Sequence, residues 1–365
     1  MKFLHTPFRQ NLTGIKCFQW NYDLDANISA KFFDLSYLIG FLSPLATPYI
    51  MQNPIGSLYQ EYLASISIKK LWNPPLLTIS TQKQNTKPFW YYSSISSPSY
   101  HLLNSKVAWF HFLNKIGLGD GQWNIFHSQD ELKTFFPRHS QKWLLKSNHG
   151  FSGRGHYQIN QETYLEVVDK KILFPVVGER LLDRKWDFSI YYSPFKKFEM
   201  IYENHIDGRF QYKGTTIRKN NLFNKELFLN SMNLKNSVID HFLNNYQKLL
   251  DNLPSFVFEH APHTIWGGSL DSFVYENEDN HDLNLHPGCE FNFRRTMGLV
   301  TYLLWKNLFD CPEKLSMRFL SKEIIPKIKR SHEIDFYQYG LEHFRRNGKM
   351  ILSPYQFSPI LEIEL

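Results

Sequence analysis

Apolar and polar positions along this 365-residue chain change period several times, and the changes mark out its elements. Over residues 102–177 the pattern predicts helix, strand, helix, strand, glycine loop, strand, helix, strand. Lys106 opens the first helix, which runs to Leu113, and Ser128-Gln129-Asp130-Glu131 is a capping box for the second. Lys142-Trp143-Leu144-Leu145-Lys146 reads as a strand ending in a lysine. Residues 174–182 form a strand leaving into a linker, and Asp187-Phe188-Ser189-Ile190 begin another. Strands then dominate to Met297, interrupted by a helix over 236–252, where Val238, Phe242, Tyr246 and Leu249 or Leu250 keep i, i+4 spacing. Residues 298–308 predict an apolar helix, 322–330 a helix shortened or kinked by Pro326, and 349–352 and 360–364 two strands.

Residues 1–100 read as a first region of mixed strands, helices and Pro/Ser loops, with strands at 76–80 and 89–92 and a linker over 93–100. Its most apolar stretch, 35–51, is broken by Ser36, Ser43, Pro44, Thr47 and Pro48, so it suits a buried helix and a Pro-rich turn rather than a membrane span. The chain shows no internal repeat and no low-complexity tract.

Composition narrows the picture only slightly. Hydrophobic content of 42% with 21% charged residues is ordinary for a globular protein, and 31 Phe and 20 Tyr fill cores by default. A net charge of +7 admits an anionic ligand, but no Lys/Arg run exceeds two residues, which argues against a nucleic-acid interface. Cys17, Cys289 and Cys311 give neither a disulfide framework nor a thiolate zinc site, and fit a reducing, cytoplasmic compartment. The first residues lack the continuous apolar core of a secretory signal.

The richest chemistry lies in Glu290-Phe291-Asn292-Phe293-Arg294, read with Asp271. On an extended segment side chains alternate faces, so Glu290, Asn292 and Arg294 point one way while Cys289 and Arg295 point the other. A carboxylate and an amide oxygen suit a hard cation such as Mg²⁺, and the guanidinium suits a neighbouring anion. A hairpin from Asp271 would add a second carboxylate; the plainer alternative is a polar strand face at a sheet edge. Gly150, Gly153 and Gly155 follow the Lys146 strand in a basic loop able to wrap a phosphate, or to make an ordinary hairpin turn. The loop is neither a P-loop nor a dinucleotide fingerprint. Lys213 lies on a basic segment, 211–218, that reads either as a phosphate-contacting strand or as a solvated edge. His260, His263, His281 and His286 could be taken for a zinc cluster, but Pro262 opposes the helical pair such a site needs. No Gly-x-Ser-x-Gly elbow occurs, and Cys289 reads as a packing residue.

Taken in order, Lys106, Lys146 with its glycine loop, Glu179, Asp187, Asp271 and Glu290-x-Asn292-x-Arg294 resemble the ATP-grasp superfamily, the fold of biotin carboxylase and the D-alanine–D-alanine ligases, over residues 102–297. The resemblance implies an α/β (α+β) class. It implies a small N-terminal α/β domain (1–100), a lid subdomain with the glycine loop (101–178) and an antiparallel-sheet subdomain for metal and substrate with a C-terminal extension (179–365). It further implies that Lys106 and Lys146 contact ATP phosphates under a lid of Gly150, Gly153 and Gly155. Val177 would meet the adenine edge, Glu179 its amino group and Asp187 the ribose hydroxyls. Asp271, Glu290 and Asn292 would bind two Mg²⁺ ions, or Mn²⁺ in their place, and Arg294, with Lys213, would serve catalysis and the acceptor carboxylate. The chain departs from the family in the long interval from Asp271 to Glu290 with its acidic insert 276–280, in having Asp rather than Glu at 187, and in the spacing from Glu179 to Asp187. The implied activity is an ATP-dependent carboxylate–amine ligase acting through an acylphosphate. The alternative is a nucleotide-binding scaffold or regulator without turnover. The expected partners are small carboxylates and amines such as amino acids or peptides, with no nucleic acid and no membrane, in a chain compatible with a homodimer.

Overall fold

The structure is a computed structural model. It describes residues 16–17, 49–51, 57–66, 77–78, 102–119, 123–149, 155–168, 172–194, 198–260, 267–278, 280–293, 296–307, 309, 311–320, 333–352 and 361–365. In chain order the strands are β1 (Lys16–Cys17), β2 (Tyr49–Met51), β3 (Leu77–Thr78), β4 (Trp123–Phe126), β5 (Trp143–Ser147), β6 (His156–Ile159), β7 (Val176–Arg180), β8 (Asp183–Ser193), β9 (Phe198–Ile206), β10 (Tyr212–Arg218), β11 (Gly268–Glu276), β12 (Leu283–Leu285), β13 (Glu290–Asn292), β14 (Lys314–Phe319), β15 (Lys349–Ile351) and β16 (Leu361–Glu364). The α-helices are α1 (Ser57–Ser65), α2 (Lys106–Lys115), α3 (Gln129–Phe135), α4 (Tyr164–Val168), α5 (Lys225–Asn230), α6 (Asn236–His260), α7 (Met297–Asn307) and α8 (Glu333–Asn347). The mixed α/β (α+β) class that the resemblance implies is the class observed, and the helices and strands predicted over 102–177 are found in order as α2, β4, α3, β5, β6, α4, β7.

By its contacts the chain divides into two compact units, one of Ser97–Tyr212 and Phe223–Phe293, the other of Met1–Ser96, Lys213–Leu222 and Arg294–Leu365. The first unit holds two antiparallel arrays. One has strand order β4-β7-β5-β6; the other runs β12-β11-β8-β9, with β13 also paired to β11. Period-two alternation explains how each is covered. From the first array Phe126, Trp143, Leu145, Ile159 and Val176 pack with Leu132 and Phe136 in a small core. From the second, Phe188, Ile190, Ile201, Leu270, Val274 and Phe291 join the apolar faces of α2, α5 and α6 in the larger core.

Caps start the helices where the sequence places them. Ser105 Oγ accepts from Ala108 N at 3.1 Å to open α2. Ser128 Oγ accepts from Glu131 N at 3.2 Å to open α3, and Glu131 Oε2 reaches back to His127 N at 2.7 Å. Helix α6 runs past the expected end at 252 and through Pro254 to His260, because Leu253, Phe256 and Val257 continue its buried stripe. Burying these three stabilises by ~1.5–3 kcal/mol each, more than the roughly 3 kcal/mol an interior proline costs. Phe256-Val257-Phe258 are therefore helical. Helix α5, capped by Asn224 Oδ1 on Leu227 N at 2.9 Å, was not expected from the pattern.

In the second unit β1, β2 and β3 are parallel. β10, β14, β16 and β15 pair antiparallel in that order. The Tyr62 hydroxyl of α1 donates to Ile351 O at 2.9 Å and accepts from Ile351 N at 3.2 Å. Tyr49–Met51, expected to end a buried helix and Pro-rich turn, is strand β2. It follows Pro48, whose missing N–H and fixed φ are tolerated at the start of a strand. Helix α8 was not expected. The helix expected over 322–330 and the strand over 89–92 lie outside the described residues, as does most of 35–51. No helix among the described residues is long and apolar enough to cross a membrane.

Candidate active site

The second face of the β4-β7-β5-β6 array carries the first half of the site. Lys146 is paired in register with Val177 of β7 and His156 of β6, and Leu144 with Glu179 and Gln158, so these side chains share one face. Lys146 and Glu179 are 4% and 7% exposed and form a close ion pair. Burial alone would lower the Lys146 pKa, but the Glu179 carboxylate outweighs it and raises it, keeping the ammonium charged. Glu179 Oε1, the oxygen turned away from this pair, is buried with no hydrogen-bond partner among the described residues. A buried ion pair with an unmet acceptor is poor stabilisation, and points to a ligand with a donor to offer.

Asn148, just past β5, ties the Lys146 strand to the helix of Lys106. Its carbonyl accepts from Lys106 N at 3.1 Å. Its Oδ1 accepts from Val107 N at 3.0 Å and Ser105 Oγ at 2.7 Å. Lys106 is thereby fixed at the first turn of α2, its side chain 1% exposed and its Nζ 3.3 Å from Glu290 Oε1.

The second half is the outward face of β9, β8, β11 and β13. Asp271 stands opposite Ser189 on one side and Glu290 on the other; Ser269 stands opposite Tyr191 and Asn292; Phe273 stands opposite Asp187. Asp271 Oδ1 accepts from Ser189 Oγ at 2.6 Å, and Oδ2 from Asn292 Nδ2 at 2.8 Å. Asn204 donates to Ser189 Oγ. The Tyr202 hydroxyl bonds Ser269 Oγ at 2.9 Å. Two carboxylates in direct register with an amide oxygen beside them fit a hard cation. Among the described residues no three His, Cys, Asp or Glu side chains cluster to hold a metal alone. A cation here would complete its shell with ligand oxygens, the habit of Mg²⁺.

The long interval from Asp271 to Glu290 is a folded-back hairpin. Strand β12 pairs with Val274, Tyr275 and Glu276 at the far end of β11. The chain then returns through Gly288, at φ +141°, so that β13 pairs with Ser269, Leu270 and Asp271. A Cβ at Gly288 would stand 2.6 Å from Leu270 Cδ1. The acidic insert is held by ion pairs, Glu276 with Lys185 at 2.7 Å and Glu278 with Arg180 at 3.4 Å.

Other expected residues are placed differently. Val177 lies inside β7, laddered to Ile125 on one side and Lys146 on the other, so its backbone polar groups serve the sheet rather than an adenine edge. Asp187 is bound through Oδ1 by Arg184, whose guanidinium lies 4.0 Å over the Phe273 ring. Burial raises the Asp187 pKa, against the pull of Arg184. Gly155, at φ +69°, lets its carbonyl accept from Ser147 N at 3.0 Å, and a Cβ there would stand 2.2 Å from Ser147 Oγ. Gly150, Gly153, Arg294 and Arg295 lie outside the described residues, and Lys213 lies on β10 of the other unit. Among the described residues the histidines do not converge. His260 ends α6, with Nδ1 2.8 Å from Phe256 O; His281 pairs with Glu276; His286 stacks on Phe273 at 4.6 Å; His263 lies outside the described residues. Burial, then Lys146 and Arg184, lower the His286 pKa to about 3. Burial raises the Cys289 thiol to about 12, so it stays protonated and inert at neutral pH.

Ser189, Ser269, Tyr202, Asn204, Asn148 and Arg184 support the site and were missed in the sequence. Ser189 and Ser269 stand two residues from Asp187 and Asp271, and strand alternation alone could have marked them.

No protein-family model matches the chain, and no curated protein matches it. Among solved structures it is similar to N5-carboxyaminoimidazole synthetase from Staphylococcus aureus complexed with ADP, at 12% identity and a TM-score of 0.49, covering 96% of this chain and 92% of that one. It is similar to phosphoribosylamine–glycine ligase from Thermotoga maritima, at 11% identity and 0.46, covering 84% and 80%. A D-alanyl-alanine synthetase A from Vibrio cholerae aligns at 15% identity and 0.36, covering 57% and 62%.

Proposed function

We propose that this protein is an ATP-dependent carboxylate–amine ligase of the ATP-grasp type. The observation that carries the reading is the meeting, within one unit, of two buried lysines with the Asp271–Glu290–Asn292 oxygen face, joined where Lys106 Nζ stands 3.3 Å from Glu290 Oε1. In this reading the division into a preceding domain (1–100), a lid (101–178) and a metal- and substrate-binding part (179–365) is retained as a proposal.

The triphosphate lies along Lys106 and Lys146, whose charges are already in place and need little reorganisation when negative charge moves. Glu179 Oε1 accepts from the adenine amino group, and Asp187, steadied by Arg184, takes a ribose hydroxyl. Asp271, Glu290 and Asn292 would hold Mg²⁺, which would supply neutralisation of phosphate charge. A substrate carboxylate oxygen attacks the γ-phosphorus. The bond from that phosphorus to the β–γ bridging oxygen breaks, ADP leaves, and an acylphosphate remains. An amine then attacks the acyl carbon, phosphate departs with the carbon–oxygen pair, and the amine gives up a proton to leave an amide. No protein nucleophile is needed, consistent with a protonated Cys289. Arg294 and Lys213 are assigned to the acceptor carboxylate and the phosphates from sequence alone.

Titration calorimetry with a non-hydrolysable ATP analogue and Mg²⁺, followed by ADP release across a panel of carboxylates paired with amines, is the test. No binding at millimolar nucleotide overturns the reading. Binding without ADP release for any pair favours the scaffold alternative.

A further inference from the structure

His156 takes no part in the chemistry above, yet it stands inside the site. It opens β6 directly opposite Lys146, on the face that carries Glu179. Both of its ring nitrogens are buried and have no hydrogen-bond partner among the described residues. Its recorded ring neighbour is Phe210, with centroids 6.3 Å apart. An unmet buried polar atom costs ~1–3 kcal/mol, so packing alone would favour a Phe or Leu here. Burial, and after it Lys146, Lys106 and Arg184, hold the ring neutral, with its pKa lowered to about 2. A neutral imidazole keeps one N–H donor and one bare nitrogen. Three cations around it make an anion the favoured neighbour, and the residue before it, Gly155, ends the glycine loop.

We infer that His156 is a ligand-binding residue that donates a ring N–H to a phosphoryl oxygen of the bound nucleotide. The inference deepens the ATP reading and rests on it. It also explains why a site poor for stability holds a histidine: the ring's hydrogen bonds are made only when nucleotide is present.

The experiment compares wild type, His156→Phe and His156→Gln by thermal unfolding and by titration with ADP, an ATP analogue and adenosine. His156→Phe should unfold at or above the wild-type temperature. It should bind ADP and the ATP analogue about tenfold to a hundredfold more weakly, the scale of one lost hydrogen bond to a charged group, with adenosine affinity unchanged. His156→Gln, which keeps an N–H donor, should recover part of the loss. Undiminished ADP affinity in His156→Phe overturns the inference, as does an equal loss for adenosine, which would place the ring against the base. Failure of His156→Phe to fold would show that the ring holds structure, and would also overturn it. If the wild type binds no nucleotide, the ATP reading falls first and this inference with it.

Discussion

Glu290→Gln separates a metal ligand from a phosphate-site counter-ion by the sign of its effect. Glu290 Oε1 lies 3.3 Å from Lys106 Nζ, with side chains 23% and 1% exposed. At an effective dielectric of about 20, that separation corresponds to roughly 5 kcal/mol of gross Coulomb attraction. Desolvation offsets much of it, and a glutamine can still accept from the ammonium. The expected loss of stability is therefore only about 1–3 kcal/mol, below the roughly 3–5 kcal/mol that leaving a buried charge unpaired costs. Toward nucleotide the substitution acts twice. It removes a carboxylate that would share Mg²⁺, and it releases Lys106 from a competing anion. Affinity for Mg-ATP should fall by roughly a hundredfold, the scale of about 3 kcal/mol for one lost electrostatic contact. Affinity for ATP in excess chelator should stay level or rise. Paired titrations, with Mg²⁺ and with chelator, read both numbers on the same protein. An equal loss in both would mean that Glu290 acts on nucleotide without a metal, and would refute the assignment of Asp271, Glu290 and Asn292.

Three further outcomes follow from particular residues. Pro254→Ala on the exposed side of α6 should raise the unfolding temperature, by up to about 3 kcal/mol of stability, because alanine restores a helical N–H without touching the buried stripe. Gly288→Ala should destabilise, since the residue must keep φ +141° beside Leu270, and should weaken Mg-ATP binding by shifting β13, read by denaturant titration and calorimetry. His156 and His286 are held at about 2 and about 3, below the ordinary 6.5. The unfolded chain therefore binds more protons at acid pH, and stability should be lost as pH falls below about 6.5, approaching roughly 1.4 kcal/mol per unit for each ring. His286→Phe should remove about half of that slope between pH 6 and pH 5 in urea titrations, and an unchanged slope would show that the ring is not held neutral.

What the sequence disclosed was whatever local chemistry decides. The capping Ser128 and Glu131, the i, i+4 stripe of α6 and the alternation around Lys146 each set an element with no help from distant residues. Alternation also placed Glu290 and Asn292 on one face, which the pairing of Asp271 with Glu290 and of Ser269 with Asn292 turns into a constellation. What stayed hidden depends on partners far along the chain. Leu253, Phe256 and Val257 keep the helical spacing past Pro254, but what outweighs the proline is distant: Trp109, Phe112 and Phe293 pack on Phe256. Nothing near Asp187 announces Arg184 as its partner, because strand spacing places i and i+3 on opposite faces. A bulge in β8 at Lys185, where Trp186 faces Val274 and Arg184 faces Tyr275 of β11, breaks that alternation and turns Arg184 back over Phe273.

The same bulge bears on how the site is divided. Below it, Asp271, Ser189 and Glu290 keep strict register, so the ladder itself sets the positions of the oxygen face. At it, Arg184 leaves the ladder's regular geometry and reaches Asp187. A cation site gains from the first arrangement, since a hard ion tolerates little error in ligand position. A ribose contact gains from the second, since a carboxylate held by one guanidinium through Oδ1 still presents Oδ2 to a hydroxyl. Under the proposed function, the regular pairing carries the cation face and the irregularity aims Arg184 at Asp187. The departure from the usual spacing between Glu179 and Asp187 falls in this re-aimed segment rather than in the oxygen face. The sequence anomaly therefore concerns the nucleoside end of the proposed site and leaves the phosphate end in register.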